Sequence, residues 1–237
     1  MKNYLLGLSL FVLSSVSFAA MLPIDISDKI SDDIELASNV TLSTSYLWRG
    51  QTQTANNAAI SGSFDIGHSS GVYAGIWASN VDAGGLVLEA DYYVGYATSI
   101  NDMLSVDAGL LYYDFFGQMA NDGMFKAKGD GAEHAIELYT AVSADLGASG
   151  STDLYFGYDT TDVEGKYLSL SYNTPYVVSL TYGIFTQKDE SGNFNHMDIS
   201  ADLVTFRDYT LSGLVTFYSP DTGDSSQKFA LSLSKDI

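Results

Sequence analysis

Residues 86–99 read LVLEADYYVGYATS, and this stretch decides the fold class. Every second residue from Leu86 to Tyr96 is apolar or aromatic, whereas the residues between them include Glu89 and Asp91. A period of two is typical of a β-strand whose two faces meet different surroundings. The apolar face of a soluble barrel forms its core, whereas that of a membrane barrel faces lipid. The rest of the chain decides between the two.

The composition excludes several classes of partner. The chain of 237 residues carries 29 acidic and 10 basic residues, a formal net charge of -19, and no cysteine. This excess of acid disfavours binding to nucleic acid, and it disfavours attachment to anionic membrane surfaces through basic patches. The 17 tyrosines, 22 glycines and 3 prolines favour long strands with aromatic belts. We therefore expect an all-β protein.

The first residues predict export. In residues 1–19, Lys2 precedes an apolar run that ends in small residues at Ala19, which is the pattern of a cleaved signal peptide. The run of about 13 apolar residues is too short to span a bilayer as a helix. We interpret the acidic residues 20–35 as a periplasmic leader and residues 36–237 as one barrel domain.

Alternation recurs along the remaining chain, with turn residues between successive runs. Twelve candidate strands follow from it: 36–49, 58–67, 72–80, 86–99, 104–115, 132–146, 152–158, 165–172, 176–187, 196–203, 209–218 and 227–237. Their connections alternate between long and tight, as in outer-membrane barrels, where loops are long outside and turns are short in the periplasm. We predict an antiparallel transmembrane β-barrel of about 12 strands with periplasmic termini. Residues 117–131 are then an extracellular loop, and residues 67–71 are a periplasmic turn.

The distribution of aromatic residues favours lipid on the outside of the barrel. Outer-membrane barrels carry aromatic girdles at both membrane interfaces. Tyrosine and tryptophan lie near the ends of the apolar face at Tyr46, Trp48, Tyr92, Tyr96, Tyr112, Tyr158, Tyr172 and Tyr176. The final strand is apolar at alternate positions up to Ile237, which resembles a terminal sorting strand. We expect outer-membrane lipid and lipopolysaccharide as surroundings; a soluble β-sandwich is the alternative.

Four segments resemble the TorF family of porins, which are exported proteobacterial β-barrels. They are SYLWRGQTQT (45–54), SGVYAGIWASNVD (70–82), EADYYVGY (89–96) and GLLYYDF (109–115). The resemblance is strongest across the first five strands. It implies an outer-membrane barrel with a porin function, and it names no solute.

No motif predicts catalysis. Residues 67–71, GHSSG, fit the G-x-S-x-G pattern of a hydrolase nucleophile elbow, in which a strand turns sharply into a helix. The residues that follow alternate as a strand, so we interpret the motif as a tight turn. His134 falls on the lipid-facing side of its strand and His196 on the inward side, so the histidines are not expected to converge on one site. We expect no enzyme activity, no cofactor and no metal.

The inward side of the predicted strands is rich in acids. The set consists of Asp65, Glu89, Asp91, Asp107, Glu133, Glu137, Asp145, Asp153, Asp198 and Asp202, against the two bases Arg49 and Lys228. Rings of carboxylates favour cations in a pore, which predicts a passive, narrow channel for small cationic or polar solutes. Inward aromatics favour the alternative, a closed barrel with a structural or binding role: Tyr73, Trp77, Tyr93, Tyr113, Tyr139, Tyr155 and Tyr167. A barrel hydrolase is the less favoured alternative.

The family-like segments predict a constriction in the lumen. Its candidate residues are Arg49, Trp77, Ser79, Glu89, Asp91, Tyr93, Glu133 and Glu137. Trp77 and Ser79 are expected across the ladder from Val87 and Glu89. We expect Arg49, at the end of the first strand, to pair with Glu89 or Asp91, either barring the channel or bracing the wall. A solvated arginine beside Gly50 is the alternative.

Overall fold

The computed structural model describes residues 33–83, 85–117, 134–160, 164–188 and 192–237. The predicted signal peptide and residues 20–32 of the leader lie outside this part of the chain. The strands are β1 (Ile34–Ser43), β2 (Leu47–Trp48), β3 (Gln51–Thr52), β4 (Ala59–His68), β5 (Val72–Ala83), β6 (Leu86–Ser99), β7 (Leu104–Gly117), β8 (His134–Asp145), β9 (Ser151–Asp159), β10 (Lys166–Asn173), β11 (Val178–Thr186), β12 (Phe194–Phe206), β13 (Tyr209–Pro220) and β14 (Ser226–Asp236). Among these residues, no helix is long and apolar enough to cross a membrane.

Twelve of the described strands close into an antiparallel barrel. From β4 to β14 each strand pairs with its neighbour along the chain, and β1 closes the ring between β14 and β4. Leu42 of β1, for example, has Ile60 and Leu233 as its partners on the two sides. The predicted fold class is therefore confirmed. Strands β2 and β3 pair only with each other.

The two ends of the barrel differ in their connections. Asp33 and Ile237, the first and last described residues, lie at the end that carries the short turns, where the amide of Ser69 donates to the carbonyl of Asp33 at 2.8 Å. At this end β4 stops at His68 and β5 starts at Val72, so the GHSSG motif is a strand-to-strand turn, as predicted. Which membrane side each end faces stays a prediction.

The two faces of the wall have the polarity predicted from the alternation. Apolar side chains point away from the barrel and are 53–56% exposed at Leu42, Ile60, Leu170 and Phe229. Polar, acidic and aromatic side chains point inward and are buried. Because apolar residues are exposed and acids are buried, the outer surface suits lipid rather than water.

Glycines on the inner face let aromatic rings lie against the wall. Tyr73 of β5 is the register partner of Gly95, and Tyr93 of β6 is the partner of Gly75. A Cβ atom at Gly75 would lie 2.5 Å from the Tyr93 ring, and one at Gly95 would lie 2.3 Å from the Tyr73 hydroxyl oxygen. These positions therefore require glycine for steric reasons.

The first strand differs from its prediction. It ends at Ser43 rather than at residue 49, and its last bond to the wall follows at Thr44, whose amide donates to Leu231. Residues 44–58 form what we call the lumen hairpin, in which residues 45–54 fold into the barrel and residues 55–58 are exposed. The interfacial positions predicted for Tyr46 and Trp48 are therefore wrong, since Tyr46 is buried inside the barrel and Trp48 is part of the hairpin.

Candidate functional site

The lumen hairpin reverses direction through two residues. Leu47 pairs with Thr52 and Trp48 with Gln51, which leaves Arg49 and Gly50 at the turn. Both have positive φ, 46° and 82°, as a type I′ turn requires. Glycine adopts this conformation freely, whereas it is uncommon for arginine.

The base of the hairpin packs against the inner wall on both sides. The ring of Tyr46 lies 5.2 Å from that of Trp77 on β5, in an edge-to-face arrangement. Leu47 is buried in a small cluster with Leu214 and Ala230 of β13 and β14. The Thr54 hydroxyl accepts from the Tyr46 amide at 3.1 Å. Residues 45–54 are thus packed against the barrel, whereas residues 55–58 are exposed.

Arg49 extends from the hairpin tip to the far wall. Its Nη2 donates to both carboxylate oxygens of Glu137 on β8 at 2.9 Å, and both side chains are buried. The guanidinium carbon also lies 3.8 Å from the centre of the Tyr167 ring and 4.5 Å from that of Trp48. In the ring order β8 lies across the barrel from β1, so this contact spans the lumen.

The predicted pairing of Arg49 with Glu89 or Asp91 is therefore wrong. The prediction placed Arg49 at the end of a wall strand, close to β5 and β6. The hairpin instead carries Arg49 past those strands, and Glu137 becomes its partner. The solvated alternative is wrong as well, because only 9% of the Arg49 side chain is exposed.

The tip of the hairpin also touches β12 and β14. A Cβ atom at Gly50 would lie 2.7 Å from Cβ of His196, so the turn lies directly against the wall. The Lys228 ammonium donates to the carbonyl of Gly50 at 3.3 Å. Together with the Arg49 ion pair, this close approach and this hydrogen bond place the tip against three separate strands.

Glu89 and Asp91 lie near the base of the hairpin. Of the expected cross-strand neighbours, Glu89 is the register partner of Ser79, whereas the partner of Trp77 is Asp91 rather than Val87 or Glu89. The β5–β6 ladder also contains a register shift between Asn80 and Ala83. Asp91 is fully buried, and neither of its carboxylate oxygens has a hydrogen-bond partner.

The inward carboxylates closer to the short-turn end accept hydrogen bonds from side chains of the wall. The Tyr73 hydroxyl donates to Asp107 at 2.7 Å, and the Tyr93 hydroxyl donates to Asp65. Asn173 donates to Asp153 at 2.8 Å. The lumen is therefore divided into a half where carboxylates are hydrogen-bonded to the wall and a half that the hairpin occupies.

The three histidines lie on separate surfaces. Nε2 of His196 is 2.9 Å from the Tyr167 hydroxyl, and its Nδ1 is 3.1 Å from Asp198, although that contact lacks hydrogen-bond geometry. His68 is exposed at a turn, and His134 stacks on Tyr112 on the outer surface. The structure does not bring the histidines together.

Most of the residues predicted for the constriction are buried in the lumen. These are Arg49, Trp77, Ser79, Glu89, Asp91, Tyr93 and Glu137. Glu133 lies outside the described residues. Of the other predicted inward acids, Asp145 and Asp202 are exposed. The sequence analysis missed the hairpin residues Tyr46, Leu47, Trp48 and Thr54 as part of the site. One signal was present in the sequence, because Thr44 interrupts the apolar face between Leu42 and Tyr46.

The fold is similar to those of solved outer-membrane channels. The KdgM porin aligns with a TM-score of 0.55 at 9% identity, over 84% of this chain and 98% of that one. Its complex with disordered oligogalacturonate gives a TM-score of 0.51 at 9% identity, over the same shares of the two chains. An outer membrane channel from Pseudomonas putida F1 gives 0.51 at 11% identity, over 84% of this chain and 94% of that one. At these identities the likeness concerns the fold.

Sequence comparisons place the chain in a family. No curated protein matches the sequence. The sequence profile of a family described as bacterial proteins of unknown function, Gcw_chp, matches residues 28–228, which is most of the chain. The chain belongs to the Gcw_chp family.

Proposed function

We propose that this protein is a narrow, cation-preferring diffusion channel of the bacterial outer membrane, constricted by its lumen hairpin. One observation carries the proposal, namely the inverted polarity of the wall. Among the described residues, the buried carboxylates are Asp65, Glu89, Asp91, Asp107, Glu137, Asp153 and Asp198, and the one buried guanidinium is that of Arg49. Acids in a confined low-dielectric space attract cations and repel anions.

The proposed location rests on the outer surface and the fold. Exposed leucine, isoleucine and phenylalanine cover the outside of the wall, which suits outer-membrane lipid and lipopolysaccharide. The similarity to porin folds and the TorF-like segments agree with this location. Solutes are expected to be small, since the hairpin crosses the lumen.

Reversal potentials across a potassium chloride gradient test the proposal. We expect refolded protein in planar bilayers to pass potassium in preference to chloride, and the preference to shrink as added salt screens the carboxylates. The variant Asp65→Asn/Asp107→Asn is expected to weaken the preference because it removes two lumen charges. A preference for chloride would contradict the proposal.

A second function is favoured by the burial of the hairpin. Solvent reaches almost none of the surface of Asp91, Thr54 and Ser79. Such burial is expected when protein fills the lumen. A closed barrel with a structural or binding role would show no conductance in the wild type. That result would favour this second function and refute the channel.

A further inference from the structure

We propose that Glu89 and Asp91, together with the hydroxyls of Tyr46 and Tyr113, form a binding site for one calcium-like divalent cation inside the barrel. The site lies in the proposed channel but does not require conduction. It joins the hairpin base, which carries Tyr46, to the wall strands β6 and β7.

Strand register brings the four side chains together. Glu89 and Asp91 are two residues apart on β6, so both carboxylates project from the inner face. Tyr113 of β7 is the direct register partner of Asp91. Tyr46 reaches the same place from the hairpin, where its ring packs on Trp77, the partner of Asp91 on β5.

Five polar atoms of this cluster form no hydrogen bond of standard geometry. They are Oε2 of Glu89, both carboxylate oxygens of Asp91 and the hydroxyls of Tyr46 and Tyr113. The two tyrosines are each 5% exposed. The Tyr46 side chain lies close to Glu89, Asp91 and Tyr113, and its hydroxyl approaches the Glu89 carboxylate without standard hydrogen-bond geometry. Unpartnered buried polar atoms are costly and rare, and a bound ion is one way to satisfy them.

Among the described residues, the two cationic side chains that reach the lumen are bonded elsewhere. Arg49 pairs with Glu137 rather than with this pair of acids. Lys228 bonds to the carbonyl of Gly50 and to Ser226. Two adjacent carboxylates buried without a counter-charge are strongly unfavourable. A single divalent cation neutralises both of them.

The ligand chemistry favours calcium over other metals. Two carboxylates and two hydroxyls supply oxygen ligands only, which hard cations prefer. Calcium accepts flexible geometry with six or more oxygens, whereas zinc prefers nitrogen and sulfur ligands. Monovalent cations leave one negative charge uncompensated.

Calcium titration of the refolded, chelator-treated protein in detergent tests the site. A Trp48→Phe background leaves Trp77, which contacts Tyr46, as the single tryptophan and therefore as a fluorescent reporter. We expect saturable binding of one calcium per chain in excess potassium, with a change in Trp77 emission. We expect Glu89→Gln/Asp91→Asn to bind no calcium and Tyr46→Phe to bind roughly tenfold more weakly.

The matched control is Asp65→Asn/Asp107→Asn, which removes the same charge from lumen acids that have tyrosine donors. It is expected to keep calcium binding. Loss of binding in this control would indicate diffuse attraction by the lumen and overturn the site. Absence of binding by the wild type, or displacement by equimolar potassium, would overturn it too.

If the double variant does not fold, the single variants Glu89→Gln and Tyr46→Phe test the site instead. Unchanged calcium affinity in both of them would overturn the site. Because binding is measured without a membrane gradient, its failure is distinguishable from failure of the channel proposal.

Discussion

Removal of the Arg49 side chain tests whether the contact across the lumen holds the hairpin in place. In Arg49→Ala, Glu137 stays buried and keeps the hydroxyl of Tyr155 as a donor, but it loses its cationic partner. Breaking a buried pair from one side costs about 3–5 kcal/mol. Loss of the contacts with the Trp48 and Tyr167 rings adds up to about 2 kcal/mol. We therefore expect a large decrease in the free energy of unfolding.

A double-mutant cycle separates the pair from other effects of the substitution. In Arg49→Ala/Glu137→Ala neither charge is left buried alone, so we expect the two single losses to be non-additive by about 1–3 kcal/mol. The measurement is urea-induced unfolding in lipid vesicles, followed by tryptophan fluorescence. Lys188→Ala is the control, because it breaks the exposed pair with Glu164, and such pairs contribute about 0–1 kcal/mol.

The conductance of Arg49→Ala tests the role of Arg49 in the channel. If Arg49 bars the channel, its removal widens the lumen and takes away a positive charge, so conductance and potassium preference both increase. A loss of stability with unchanged conductance would mean that Arg49 only braces the wall. A cost for Arg49→Ala no larger than that of Lys188→Ala, with additive single losses, would refute the argument that this pair anchors the hairpin.

Three further predictions concern the wall and its orientation. Gly95→Ala is expected to cost about 1–3 kcal/mol in vesicle unfolding, because the new Cβ meets the Tyr73 hydroxyl, whereas Gly67→Ala meets nothing within 4 Å and serves as its control. Leu170→Arg, on the outer face, is expected to cost about 2–4 kcal/mol in the same assay if it lies near the bilayer centre, and a cost near zero would argue against lipid contact there. The chain has no native cysteine, so single cysteines can be introduced as labels. Asp224→Cys is expected to react with a membrane-impermeant maleimide on intact cells, and Ser69→Cys is expected to be protected. The reverse labelling pattern would contradict the predicted topology.

The fold was predictable because its signals are local. In a sheet with one apolar face, alternation specifies which side chains point each way, and the turn residues specify where strands end. The inward positions of Tyr93, Asp91 and Glu137 follow from parity alone. Twelve runs of alternation were therefore sufficient to predict the barrel and its inverted polarity.

The site was predictable only in part because its contacts are not local. Tyr46 and Trp48 keep the alternation of the preceding strand, so parity assigned them to lipid. Their burial depends on whether residues 44–58 continue the wall or enter the lumen, and that depends on distant partners. Arg49 and Glu137, separated by 88 positions, carry no sequence pattern that connects them.

The reach of the lumen hairpin has a consequence for the order of assembly. Its tip bonds to Glu137 on β8, lies against His196 on β12 and accepts from Lys228 on β14, although the hairpin itself leaves the first strand. These partners surround it only after the last strand has joined β1. We therefore expect the hairpin to reach its final position late, after the ring has closed. A chain truncated before β14 would lack both the closing ladder and the Lys228 bond, and we expect its hairpin to be open to protease while the full-length hairpin is protected.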